Sequence, residues 1–184
     1  MNFDTSSVVE REVQESTYIK PGINEPVSME SFVANTENVP YMQVEFSCNG
    51  KTASGRFYLP EGADEESVKN RNSNLARIKH MATKVVTAEE FDAAGKSSSN
   101  LTQYCENLTT LLKGKTFRMK FSGKQMPGKD GKKEWDLATI PNQRFAESLE
   151  IPREKTKLVY DPKNQYDYKA LPVADTKDAS GLPF

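Results

Sequence analysis

From residue 41 to 48 apolar and polar side chains alternate: Met42, Val44, Phe46 and Cys48 fall on one side, Tyr41, Gln43, Glu45 and Ser47 on the other. A period of two is that of a strand with one buried face. Asn49-Gly50 follows, and because both residues tolerate positive φ the pair predicts a tight type I′ hairpin. The chain returns over 52–59, with Ala53, Gly55, Phe57 and Leu59 on the inner face and Thr52, Ser54, Arg56 and Tyr58 on the outer one. Upstream, Lys20-Pro21-Gly22-Ile23-Asn24-Glu25-Pro26 is turn-rich, and 27–34 is expected as the first strand, its alternation blurred by Ser and Glu.

Past Asp64 the apolar period lengthens. Val68, Leu75, Ile78, Ala82 and Val85 recur at helical spacing, with Asp64, Glu65 and Glu66 placed to complement the positive end of the helix. Thr87 and Glu90 form the pattern of a capping box, opening a short helix that is expected to end at Gly95. Asn100 and Gln103 suit the start of a third helix, whose Leu101, Tyr104, Cys105, Leu108, Leu111 and Leu112 make one apolar stripe for the core. Alternation resumes over 115–121, where Phe117, Met119 and Phe121 face inward and Thr116, Arg118 and Lys120 outward. A Gly-rich basic loop over 123–132 then leads to a last strand at 133–140, stopped by Pro141.

Three strands, a helical region and two strands is the order of an OB barrel, five strands with a helix between the third and fourth. The expected class is therefore mainly β with an α-helical insertion: a five-stranded OB-fold barrel with helices between strands 3 and 4. Another α+β topology has the same element order. The organisation this implies is an arm over 1–16, the barrel over 17–140 with its insertion at about 64–114, an extension over 141–172 and a tail over 173–184.

Composition narrows the classes. Only 36% of residues are hydrophobic, so the core must come from these few short segments. No apolar stretch approaches the ~20 residues that span a bilayer, and Met1-Asn2-Phe3-Asp4 lacks a signal peptide's basic and apolar regions; a cytoplasmic location without membrane contact is expected. Cys48 and Cys105, on different elements among apolar neighbours, suit reduced core thiols, and with His80 alone beside them no zinc-ligand spacing can be assembled. Asn100-Leu101-Thr102 and Asn107-Leu108-Thr109 match the glycosylation sequon but read as helix residues. Charge is uneven: nine acids against four bases up to Ala63, then ten against fourteen over 64–140. The positive potential lies in the middle of the chain.

No catalytic constellation emerges. Gly123-Lys124-Gln125-Met126-Pro127-Gly128-Lys129-Asp130 nearly fits a P-loop, but Asp130 stands where a metal-binding Ser or Thr belongs, and no helix follows to receive the phosphate. His80 lacks a nucleophile partner and is expected on the surface; Glu134 and Asp136 are too few for a metal nuclease. Neither cofactor nor metal is expected, and the chain is not expected to be an enzyme. What remains is a binding surface: Tyr41, Arg56 and Tyr58 on the hairpin, Lys115, Arg118 and Lys120 on the fourth strand, then Lys124, Lys129, Lys132 and Lys133 leading to Trp135. Cations that track phosphates, interleaved with aromatic faces that stack on bases, hold single strands without sequence preference. Trp135 fits either such a face or the core, since Leu137 and Thr139 share its side of the strand.

Lys20-Pro21-Gly22-Ile23-Asn24-Glu25, then Val27, then Pro40-Tyr41 with Val44 and Phe46, resembles the opening of the OB-fold single-stranded DNA-binding proteins of bacteriophages, over about residues 19–59. The segment Asp175-Thr176-Lys177-Asp178-Ala179-Ser180-Gly181-Leu182-Pro183-Phe184 is similar to the acidic tip of bacterial single-stranded DNA-binding proteins, with Lys177 interrupting the acids. The resemblance implies that Asp175, Asp178, Leu182, Pro183 and Phe184 recruit replication or recombination proteins. It also implies a non-catalytic coat for single-stranded DNA in replication, recombination or repair, in a phage-infected bacterial cell. Two alternatives stand beside it: an OB-like module for protein interaction or assembly, and a strand-annealing recombination mediator. The tyrosines of the extension, Tyr160, Tyr166 and Tyr168, are compatible with packing on the barrel, with self-association or with an extended strand-binding track.

Overall fold

The computed structural model describes residues 17–127, 133–136 and 145–169. Strands β1 (Gly22–Asn35), β2 (Tyr41–Cys48) and β3 (Lys51–Tyr58) form an antiparallel meander. Helices α1 (Glu65–Ala82), α2 (Ala88–Lys96) and α3 (Leu101–Leu112) come next, followed by β4 (Thr116–Phe121), which pairs with the first half of β1. After β4 come β5 (Gly123–Pro127), β6 (Lys133–Asp136), β7 (Ala146–Glu147) and β8 (Tyr168–Lys169). The larger sheet is antiparallel with order β3-β2-β1-β4-β7, and a smaller one has order β6-β5-β8. The protein is thus mainly β with three helices between the third and fourth strands, and among the described residues the five strands do not close into a barrel.

Alternation on β2 and β3 puts Met42, Val44, Phe46, Ala53 and Phe57 into the core as expected. Asn49 and Gly50 adopt positive φ, 50° and 76°, the requirement of a tight hairpin whose twist matches its strands. The first strand is longer than the alternation suggested and takes in the turn-rich stretch from Gly22. Its register slips between Met29 and Ser31, so the buried set runs Val27, Met29 and then Phe32. A bulge of this kind breaks the period of two, which is why β1 reads poorly as a strand.

The helix ends follow their capping chemistry. Asp64 accepts from the Ser67 N–H, Thr87 and Glu90 form both halves of a capping box, and Asn100 accepts from the Gln103 N–H. Gly95 does not stop α2, which continues to Lys96; a side chain at Gly95 would meet the ring of Tyr104. Helix α3 lies along β1, where Thr109 Oγ1 accepts the Phe32 N–H at 3.0 Å. The two thiols, Cys48 and Cys105, are free and buried.

The segment expected as a basic loop begins instead as β5, and the segment expected as the last barrel strand pairs, over Lys133–Asp136, with β5 in the smaller sheet. The chain passes almost directly from β4 to β5 through Ser122. Gly123 is required at this step, because a Cβ there would fall 2.4 Å from Pro21 Cγ and 3.2 Å from the Tyr168 ring. The fifth place in the larger sheet goes to β7. From there the chain crosses over β4, through a single 3-10 turn at Arg153–Lys155, to β8, which runs parallel to β5. Residues 145–169 therefore pack along the strands as a strap, in which Leu158 is itself buried.

Candidate nucleic-acid interface

The outer face of β1, β2 and β3 carries four rows of side chains, fixed by strand register. Asn35, Tyr41 and Tyr58 form the first; Val33, Gln43 and Arg56 the second; Ser31, Glu45 and Ser54 the third; Ser28, Ser47 and Thr52 the fourth. Residues facing each other across antiparallel strands have Cβ atoms about 5 Å apart, so each row is a line of neighbouring side chains. The Tyr41 and Tyr58 rings lie 5.5 Å apart between centroids, tilted by 57°, and the Arg56 guanidinium sits 5.2 Å from the Tyr41 centroid. Tyr58 is 46% exposed and Val33 53%, high values for apolar side chains on a sheet. Sequence alternation thus placed Tyr41, Arg56 and Tyr58 correctly on one face, and register adds Val33, Asn35 and Gln43 to it.

Arg118 and Lys120 are a correction. Both alternate away from Phe117, Met119 and Phe121 as expected, yet each is only 3% exposed, because the strap covers that face of β4. Arg118 is ion-paired with Glu25 and, at 3.6 Å, with Glu147, and also donates to the Ile151 carbonyl. Lys120 Nζ lies 2.6 Å from Asp167 Oδ1. Carboxylates of the chain itself occupy the places phosphates were expected to take. Burial opposes ionisation of Glu147, but hydrogen bonds from Thr156 and the Lys157 N–H, with Arg118 beside it, outweigh that and hold the carboxyl below its ordinary range. Nothing local in the sequence pairs Lys120 with a residue 47 positions away.

The remaining residues separate. Lys115 is exposed but precedes Thr116, which pairs with Ser28 midway along β1 and on the side of β1 away from β2, so it does not join the Tyr58 cluster. It lines an open cleft with Lys84, Glu90 and Leu149. Lys124 is half-buried on β5 opposite Asp136 and beside Lys169. On β6, Lys133 is opposite Pro127 and Trp135 opposite Gln125. Lys129, Lys132, Asp175, Asp178, Leu182, Pro183 and Phe184 lie outside the described residues. His80, expected on the surface, is half-buried with its ring 4.9 Å from that of Phe145.

Among the described residues no group of three or more His, Cys, Asp or Glu is arranged to hold a metal, and no helix is long and apolar enough to cross a membrane. No protein-family model matches the sequence, and no curated protein matches it either.

Proposed function

We propose that this chain is a non-catalytic binder of single-stranded DNA that coats exposed strands during replication, recombination or repair. The observation that carries the reading is the cluster of Tyr58, Tyr41 and Arg56 on the open face of β2 and β3. Bases stack on aromatic faces at about 1–3 kcal/mol each, and neighbouring cations hold phosphates. Tyr41 already carries the Arg56 guanidinium on its ring, so Tyr58 is the residue that offers a face to a base, with Tyr41 and Arg56 bracing it.

The strand order supports an OB-type barrel as the setting. β1 lies between β2 and β4, and the helices enter between β3 and β4, as in the first four strands of that fold. In OB barrels the second and third strands form the oligonucleotide face, flanked by the loop after the fourth. On this reading Lys124, Lys129, Lys132 and Lys133 supply further phosphate contacts, and Trp135 a second stacking ring. The likeness to phage single-stranded DNA-binding proteins covers the same hairpin.

The test is titration of the chain with oligo-dT at low and moderate salt, followed by gel mobility and by the fluorescence of its single tryptophan, beside a duplex control. Salt-sensitive binding of the single strand is expected, weakened about five- to one-hundred-fold by Tyr58→Ala. Equal binding of duplex, an unaffected Tyr58→Ala variant, or no binding overturns the proposal.

A further inference from the structure

The outer face of the meander is divided. Its first two rows hold Asn35, Tyr41, Tyr58, Val33, Gln43 and Arg56, whose one formal charge is positive. The other half is acidic. Glu45 occupies the third row, its carboxylate accepting from Ser31 Oγ at 3.2 Å, and Glu30, the residue at the bulge of β1, is held over the same half by a hydrogen bond from Ser28 Oγ. Both glutamates are exposed.

Same-face neighbours along a strand are about 7 Å apart, less than a Debye length at physiological salt. A phosphate placed beside Gln43 therefore feels Glu45, and one carried a row further along β2 meets its carboxylate directly. A strand that crosses from β3 to β1 along the first two rows passes Tyr58, Tyr41 and Asn35, or Arg56, Gln43 and Val33, and encounters no carboxylate in those rows.

We infer that Glu45, with Glu30 behind it, is the specificity-determining boundary of this site: it repels phosphates from the lower half of the face and sends the bound strand across β3, β2 and β1 at the Tyr58 end. The inference rests on the single-stranded DNA reading of the Tyr58 cluster. Its consequence is that the protein binds more weakly than its own aromatic platform allows, and that removing one negative charge remote from any base improves binding.

Fluorescence anisotropy with a long labelled oligo-dT, on the full chain, tests this. Glu45→Gln is expected to raise affinity about two- to five-fold at low salt, an advantage that fades as salt rises, while Ser31→Ala, which removes the hydrogen bond and keeps the charge, leaves affinity unchanged. Binding by the wild type that Glu45→Gln leaves unchanged or weakens overturns the boundary alone, with the reading intact. A gain from Ser31→Ala as large as that from Glu45→Gln also overturns it, since the effect is then not one of charge. Absence of binding by the wild type overturns the reading and the boundary together.

Discussion

Lys120 Nζ lies 2.6 Å from Asp167 Oδ1, and both side chains are almost wholly removed from water, 2% and 3% exposed. The second carboxylate oxygen of Asp167 accepts the Asp161 N–H at 2.9 Å, and its backbone carbonyl accepts the Gly123 N–H at 2.9 Å. One residue thus ties the strap's last turn to β4 and to the start of β5. Leaving a buried charge without its partner costs about 3–5 kcal/mol, whereas replacing both partners with apolar groups is often neutral. Asp167→Ala should lower stability to urea by that amount, and the pair Lys120→Met with Asp167→Leu should restore most of it.

Acid should loosen the same strap. Glu147 titrates below its ordinary value of 4.5 in the folded protein, so its contribution is complete above that value and is lost as pH falls through the lower folded one. Urea midpoints should therefore begin to fall as pH drops below about 4.5. Glu147→Gln, which cannot titrate, should be less stable at neutral pH and show a shallower decline.

Both cysteines should be inert until the protein opens. Burial pushes the Cys105 thiol up to about 11 and raises that of Cys48, against roughly 8.5 for a free thiol. A thiol reagent at about pH 8 should label neither residue in the native protein and both in denaturant; rapid native labelling of Cys105 would contradict its place on the buried face of α3.

Arg56 and Arg118 should separate binding from stability. Arg56→Gln is expected to weaken strand binding and to reduce the slope of log affinity against log salt by about 1, with stability unchanged within about 0.5 kcal/mol. Arg118→Gln should do the reverse, destabilising by about 3–5 kcal/mol and leaving the salt slope alone. Paired salt titrations and thermal melts decide this.

Much of the meander was legible because its two faces differ. Met42, Val44, Phe46 and Phe57 announce the core, and the same alternation delivers Tyr41, Arg56 and Tyr58 to the other side. Thr87 and Asn100 marked two helix starts because a cap is a local exchange of hydrogen bonds within four residues, and Asp64, read with Glu65 and Glu66 as a complement to the helix dipole, is the cap of the other. Alternation failed on Arg118 and Lys120 for a different reason. It says which side of β4 a residue takes, not what covers that side, and the cover is a strap whose Glu147 and Asp167 look like solvated acids in isolation. The handover from β4 to β5 was hidden as well, since Gly123 reads as a loop residue until the crowding of Pro21 and Tyr168 around it is known.

Strand β1 is the centre of the sheet, and its partners arrive at very different times. β2 emerges from the ribosome directly behind it, but Arg118, which meets Glu25, is made 93 residues later. During that interval the nascent chain can fold its meander and helices while the first half of β1 keeps an open edge, the kind of surface that recruits a neighbouring chain. Synthesis speed and chaperone access over residues 60–120 should therefore affect the yield of this protein.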